Sequence, residues 1–423
     1  MAAARPSRRE LLAVAPAAAL LGPGRADPPA APAYHNHAGR PMAVVDGGNR
    51  KVYINSGCRT PTGTWLVSFT LGRDGNRHFV GLRRSADRGR TWEPRVTALD
   101  PAAPFDGEMG QLLPVPAGPN RPARVYQFHI LKDTRVGVRF GRLAFTVSDD
   151  DGRTWHGPDG PNTSYDVSAP AYDLAPKGYG WHLMGPGLVL RSGDWLLPMN
   201  VSTDPKKLGD IRSELVFLRS PNILSEPDPA KLRFEFGPPP PHGVAAPLAG
   251  KPDQSLAQEP QAVELSDGRL FCVMRTGNGV VNWTASPDGG RTWAASQPLL
   301  GADGRPVRNP NCPCPLAKLS GGRYALLHCD NDGTGHGGKD PFDHTVNRHP
   351  VSVCVGREAL GDEQPLRFGP SKLLCDIRGY KPQSKWRDLS YGLLLEDGGE
   401  VFHFYNAVWE DVLVNRVDPA VLG

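Results

Sequence analysis

Between Gln258 and Arg275 the chain runs QEPQAVELSDGRLFCVMR. Glu259 opens one strand-like run, Asp267-Gly268-Arg269 makes a turn, and Arg275 closes a second run. A hairpin folded at Gly268 brings its last residue back beside its first, so a carboxylate and a guanidinium arrive together at one end. A glutamate so placed can exchange a proton with a neighbouring group. A planar guanidinium stays protonated and can hold a carboxylate by two parallel charge-assisted hydrogen bonds.

Repetition shows which elements position this pair. Ser-x-Asp-x-Gly-x-Thr-Trp occurs without mismatch at Ser85–Trp92, Ser148–Trp155 and Ser286–Trp293, and the second interval is close to twice the first. Ser220-Pro221-Asn222, near the middle of that longer interval, has the place of a degraded copy. Glycine turns run in phase with these blocks at Gly63, Gly193, Gly268, Gly322 and Gly398, with a weaker one from Gly118 to Tyr126. Self-similarity at a fixed period marks a repeat architecture. Six turns predict six antiparallel sheets in a radial array, which buries both faces of each. Closure of the ring is expected between a strand near Pro41–Val45 and the last strand, Val412–Val417. The carboxylates of Asp87, Asp150 and Asp288 are expected to bond the turn backbone, so they are read as scaffold and not as catalysts.

The chain has 423 residues, 49 glycines and 44 prolines spread along its length, as many short strands joined by tight turns require. Ser7-Arg8-Arg9-Glu10 leads into an apolar run ending near Leu21, the pattern of a twin-arginine export signal over residues 1–26. An uncleaved anchor is the alternative for this segment, and its removal leaves the formal charge close to neutral. A chain so balanced has no global electrostatic footprint for nucleic acid. The seven cysteines include no CxxC pair, and most lie within apolar runs as buried thiols. His35, His37 and the loop from Cys329 to Pro350, with its histidines and aspartates, lack an HExxH or EF-hand spacing, although Asp330-Asn331-Asp332-Gly333 faintly resembles a calcium loop; a glycine-rich flap at the propeller mouth is the reading preferred, and no cofactor is expected.

With its three Asp-boxes and phased turns, the sequence from about Tyr53 to Val417 resembles the sialidase (neuraminidase) superfamily. The resemblance implies an all-β fold: a six-bladed β-propeller with four-stranded antiparallel blades, here spanning residues 35–420. In such an enzyme Glu259 would activate a tyrosine, and Arg275 would grip the carboxylate of an acidic sugar. Arg348, before the strand VSVCVG, is similar to a further carboxylate-binding arginine, and Tyr391, before LLLEDGG, to the nucleophile. Asp74, in the Gly72–Gly75 loop, matches the position of the general acid. The family's Arg-Ile-Pro step is replaced by Tyr53-Ile54-Asn55, so Arg40 or Arg59 is expected to supply the missing cation. A tyrosine nucleophile suits this chemistry, because a neutral phenol is not repelled by a carboxylate on the anomeric carbon. The implied protein is an exported, monomeric, retaining exo-glycosidase acting on a glycan, with no membrane attachment once the signal is removed. A propeller enzyme acting on a plant or algal polysaccharide and a non-catalytic glycan-binding propeller are the alternatives.

Overall fold

Three of the glycine turns close in the same way. Gly63, Gly193 and Gly268 adopt φ of 95°, 86° and 88°, a region that costs a side chain but not glycine. Their amides donate to the carbonyls of Thr60, Leu190 and Leu265. The flanking runs form antiparallel ladders, such as Val52–Arg59 with Trp65–Gly72 and Gln258–Glu264 with Leu270–Arg275. The computed structural model describes residues 37–46, 51–72, 78–99, 105–133, 141–170, 180–202, 212–343, 346–377 and 387–423. Among these, strands dominate, and the one α-helical segment is Pro419–Leu422.

The strands join into six hydrogen-bonded sheets, giving an all-β propeller of small, mostly antiparallel sheets. Val52–Arg59, Phe105–Val115, Gln258–Glu264, Leu316–Leu319 and Gly392–Asp397 each stand at one end of a sheet's path. Val52–Arg59 packs on Phe105–Val115 and Gly392–Asp397, Leu316–Leu319 packs on Gly392–Asp397 and Gln258–Glu264, and Gln258–Glu264 packs on Trp195–Ser202 of the sheet before it. The expectation of uniformly four-stranded, antiparallel sheets holds for three of the six; the others contain five, six and eight strands. The largest also pairs Arg212–Ser220 with Lys251–Leu256 in parallel. Its excess comes from the long insertion after the degraded box, where short strands at Glu235–Gly237 and Val244–Ala245 add to the edge. The closing sheet forms as the sequence predicts: His37–Asp46 pairs with Asp411–Val417, with Met42 opposite Val414 and Ala43 opposite Leu413. At this seam His37 Nε2 lies 3.2 Å from His403 Nδ1.

The Asp-boxes are joints. In the third, the Thr292 amide and hydroxyl both donate to Asp288, and Ser286 Oγ donates to the same carboxylate. Gly290 donates its amide to Ser286 Oγ, and Trp293 Nε1 donates to the Gly290 carbonyl. The Trp293 ring thereby stacks at 3.7 Å on Phe217 of the preceding sheet. An aromatic pair of this kind contributes about 0.5–1.5 kcal/mol beyond area burial. Asp87 and Asp150 make the same bonds with Thr91 and Thr154. The carboxylates are occupied by the turns, as expected of scaffold.

Candidate active site

Strand direction decides what gathers where. Where a sheet carries a glycine turn or an Asp-box, these lie at one end, while the first strand's start and the second strand's finish lie at the other. Register therefore brings Glu259, Arg275, Arg348 and Tyr391 to the same end of the molecule. Arg59, at the finish of Val52–Arg59, goes to the opposite end, where its Nε lies 3.3 Å from Asp397 and its side chain is 54% exposed. Arg59 is thus not the replacement cation. Arg40 lies in the first strand with its side chain outside the described set, and Asp74 lies outside the described residues altogether.

Glu259 occupies a β-bulge. Pairing passes from Gln258–Arg275 directly to Gln261–Val273, and Glu259 sits between them with φ of 50°. A bulge turns a side chain out of the alternating pattern. Here its amide donates to Asn200 Oδ1 at 3.0 Å, and Pro260 has no amide to satisfy. The Pro260 carbonyl comes so close to Gly185 that a Cβ there would meet it at 2.0 Å, which explains the glycine in Gly185-Pro186-Gly187.

Glu259 Oε1 accepts two hydrogen bonds, from Tyr391 Oη at 2.9 Å and from Arg275 Nη1 at 2.8 Å. Oε2 is buried without a hydrogen-bond partner among the described residues. Burial, reinforced by the Glu259 charge, pushes the Tyr391 hydroxyl above its ordinary value of 10, while Arg348 and Arg275 pull it down. The phenol is therefore neutral at neutral pH, and its proton has one buried acceptor at hand.

A second layer holds these groups. Asn311 bridges the two arginines: its Oδ1 accepts from Arg275 Nε at 2.5 Å, and its carbonyl accepts from Arg348 Nε and Nη2 at 3.1 and 2.9 Å. Arg348 Nη1 donates to Asp388 Oδ2 at 2.9 Å. Asp388 also accepts from Trp409 Nε1 and from the amide and hydroxyl of Ser390. This anchors the segment that carries Tyr391. Burial would lower the Arg348 pKa, but Asp388 holds it well above the ordinary value. At 2% exposure, with its guanidinium carbon 5.5 Å from the Tyr391 ring centroid, Arg348 stands beside the phenol as a buried charge.

Tyr53 stands at the position where the resemblance implies an arginine. Its ring packs 5.6 Å from Tyr391 and 5.1 Å from Trp409. Two residues earlier on the same strand face, Lys51 sets its ammonium 3.7 Å over the Trp409 ring, where the charges of Asp388, Arg348 and Glu108 all act on it. Sequence reasoning missed Lys51, Asn311, Asp388 and Trp409. Lys51 and Trp409 had a usable signal, since each adjoins a strand end that the hairpin rule sends to this side.

The loop after Cys329 uses its carboxylates in its own turns. Asp332 accepts from Thr334, Asp340 accepts from the amides of Phe342 and Asp343, and Asp330 pairs with Arg308. His349 contacts Asp376, and its ring centroid lies 4.5 Å from that of His336. No group of three or more potential metal ligands occurs among the described residues.

The fold is a β-propeller built of BNR-type repeats, as the resemblance to sialidases implies. The profile of the BNR repeat-like domain family matches residues 63–367, and the chain belongs to that family. Among solved structures, a leech intramolecular trans-sialidase is 14% identical with a TM-score of 0.59, covering 91% of this chain and 71% of its own. The NanB sialidase of Streptococcus pneumoniae is 12% identical at 0.59, covering 92% and 71%. An α-L-arabinofuranosidase from Fusarium graminearum is 13% identical at 0.57, covering 90% and 98%. At such identities these likenesses concern the fold.

Proposed function

We propose that this protein is an exported, monomeric, retaining exo-glycoside hydrolase of sialidase type that removes a terminal acidic sugar, with each of the six sheets forming one blade of its propeller. The observation that carries this reading is the shared oxygen, Glu259 Oε1, bonded by both the Tyr391 hydroxyl and Arg275. Glu259 takes the phenolic proton as Tyr391 bonds to the anomeric carbon, giving a covalent glycosyl intermediate that water later opens. Raised by burial, the phenol stays uncharged until attack, so it can approach an anionic sugar. Arg275 holds the sugar carboxylate, Arg348 supports the developing charge from beneath, and Lys51 takes the role left open at Tyr53. Asp74 is the expected proton donor to the leaving oxygen.

A polysaccharide-degrading propeller enzyme is the second reading. It is favoured by the tyrosine ring standing where the family's first arginine belongs. Incubation of the mature chain with the 4-methylumbelliferyl α-ketoside of N-acetylneuraminic acid, alongside an arabinan and algal polysaccharide panel, separates the two. Release of the fluorophore, with the α-anomer of the free sugar as first product by NMR, is the expected result. Turnover of a panel polysaccharide without any ketoside cleavage overturns it in favour of the second reading.

A further inference from the structure

The bulge that turns out Glu259 has a counterpart two sheets earlier. In Phe105–Val115, pairing passes from Glu108–Ile130 to Gln111–Phe128, and Met109 takes φ of 61°. After each bulge a glutamine reaches the same segment: Gln111 Nε2 donates to the Leu183 carbonyl at 2.7 Å, and Gln261 Nε2 donates to the Met184 carbonyl at 2.6 Å. Glu108 and Glu259 are thereby set on the two flanks of the segment that leaves Gly180–His182, and both of their charges act on His182.

Glu108 is buried and doubly held. Its Oε1 lies 2.6 Å from His78 Nδ1, and its Oε2 accepts from Lys132 Nζ at 2.6 Å. Burial alone would raise its pKa, but the His78 hydrogen bond and the Lys132 charge hold the carboxyl at about 2, so it stays ionised. With Nδ1 bonded to the carboxylate, Nε2 is the nitrogen of the imidazole left without a partner among the described residues. Its side chain is 29% exposed against 8% for Glu108, which makes the imidazole the member of the pair that meets solvent. A buried carboxylate that fixes the tautomer and aim of a more accessible imidazole is the arrangement of an oriented acid–base group.

Its position also fits. His78 pairs across the ladder with Gly72, whose amide donates to the Lys51 carbonyl. His78, Gly72 and Lys51 thus form one cross-strand row at the end where Lys51 covers Trp409 and Tyr53 packs on Tyr391. The Glu108 charge acts on both Lys51 and Tyr53.

We propose that His78 Nε2, in place of the Asp74 that the resemblance implies, is the proton-transfer group of this active site, with Glu108 and Lys132 as its positioning residues; this rests on the glycosidase reading above in every other role. In the first step protonated His78 gives its Nε2 proton to the glycosidic oxygen as the carbon–oxygen bond breaks. The Tyr391 oxygen bonds to the anomeric carbon, and Glu259 takes the phenolic proton. In the second step neutral His78 removes a proton from water as the water oxygen bonds to that carbon. The tyrosyl bond breaks, and Glu259 returns the proton to Tyr391. The charged group against the imidazole is Glu108 from the next sheet, whose other oxygen holds Lys132, and the Glu108 charge also acts on Lys51, Tyr53 and His182.

The test compares two α-ketosides of N-acetylneuraminic acid, one with a 4-nitrophenyl and one with a benzyl aglycone, in the wild type and in His78→Gln, Glu108→Gln and Asp74→Asn. General-acid assistance is worth about 10²–10⁴-fold and matters most for the poorer leaving group. His78→Gln is expected to lose at least about 100-fold in kcat/KM on the benzyl ketoside and less than about 10-fold on the nitrophenyl one. Added imidazole should restore part of the benzyl rate of His78→Gln. Glu108→Gln should show the same leaving-group pattern with a smaller loss. Equal losses on both substrates without rescue by imidazole, or the leaving-group pattern in Asp74→Asn instead, overturn the assignment. A wild type inactive on both ketosides removes the glycosidase reading itself and the assignment with it.

Discussion

Tyr391 Oη and Glu259 Oε1 lie 2.9 Å apart although 132 positions separate the two residues in the chain. The contact joins the start of Gln258–Glu264 in one sheet to the residue just before Gly392–Asp397 in another. Because the phenol is held neutral and its acceptor is buried, the two residues should act as a unit. Removal of either the hydroxyl (Tyr391→Phe) or the carboxylate (Glu259→Gln) is expected to lower kcat by about 10²–10⁴-fold. The double variant should be little worse than the poorer single one, as residues acting together are strongly non-additive. Steady-state kinetics on the three variants check this; losses that multiply would separate the pair.

Asp388 is fully buried and bonds Arg348, Trp409 and Ser390. Asp388→Ala leaves the Arg348 guanidinium buried without its counter-charge and should cost about 3–5 kcal/mol of stability. Urea denaturation measures it. A change below about 1 kcal/mol, in the range of an exposed pair, would show that the pair is not buried as described.

Lys51 rests on Trp409, beside the ring of Tyr391. For an acidic substrate, Lys51→Met is expected to raise KM about tenfold, in line with a cation–π site worth on the order of 1 kcal/mol or more, while kcat holds. Lys51→Arg should recover most of the affinity. A fall in kcat at constant KM would place Lys51 in the chemistry instead of in binding.

Asp288 lies at the far end from this site and accepts from Ser286, Arg291 and Thr292. Asp288→Ala removes a small set of exposed turn bonds, each worth about 0.5–1.5 kcal/mol, so a modest loss of thermal stability with unchanged KM is expected. Differential scanning calorimetry and kinetics on the same preparation test it, and a raised KM would contradict the division between scaffold and site.

Several histidines are buried in neutral form. Burial holds His129 and His37 at about 4 and His403 well below its ordinary value, with His37 adding to the effect on His403. An unfolded histidine binds a proton near pH 6.5, while these folded ones resist it until about pH 4. The unfolded state therefore binds more protons in that window, and stability falls as pH drops through it. Denaturation midpoints at pH 7.5, 5.5 and 4.5 should decline, and His129→Phe should flatten part of the decline. A level series would show that these imidazoles are not buried as neutral groups.

The sequence determined the repeat by itself, because an Asp-box is a local structure: serine, aspartate, glycine and threonine within eight positions satisfy one another and need no distant partner. Hairpin turns are equally local, so the strands of most sheets, the seam at Met42–Val414 and the delivery of Glu259 and Arg275 to one end were legible from spacing alone. The uniform sheet size was not, because the insertion between Ser220 and Lys251 adds strands through edge pairings that carry no fixed spacing. Arg59 looked like a replacement cation by proximity to Tyr53 in the chain. Strand direction sends it to the other end of the sheet, to Asp397. Only the tertiary structure brought Lys51 over Trp409, Asn311 between two arginines and Asp388 beneath the tyrosine. Each of these contacts joins groups from different parts of the chain, and its energy depends on burial and on the direction of approach. A linear string does not specify either until the ring has closed.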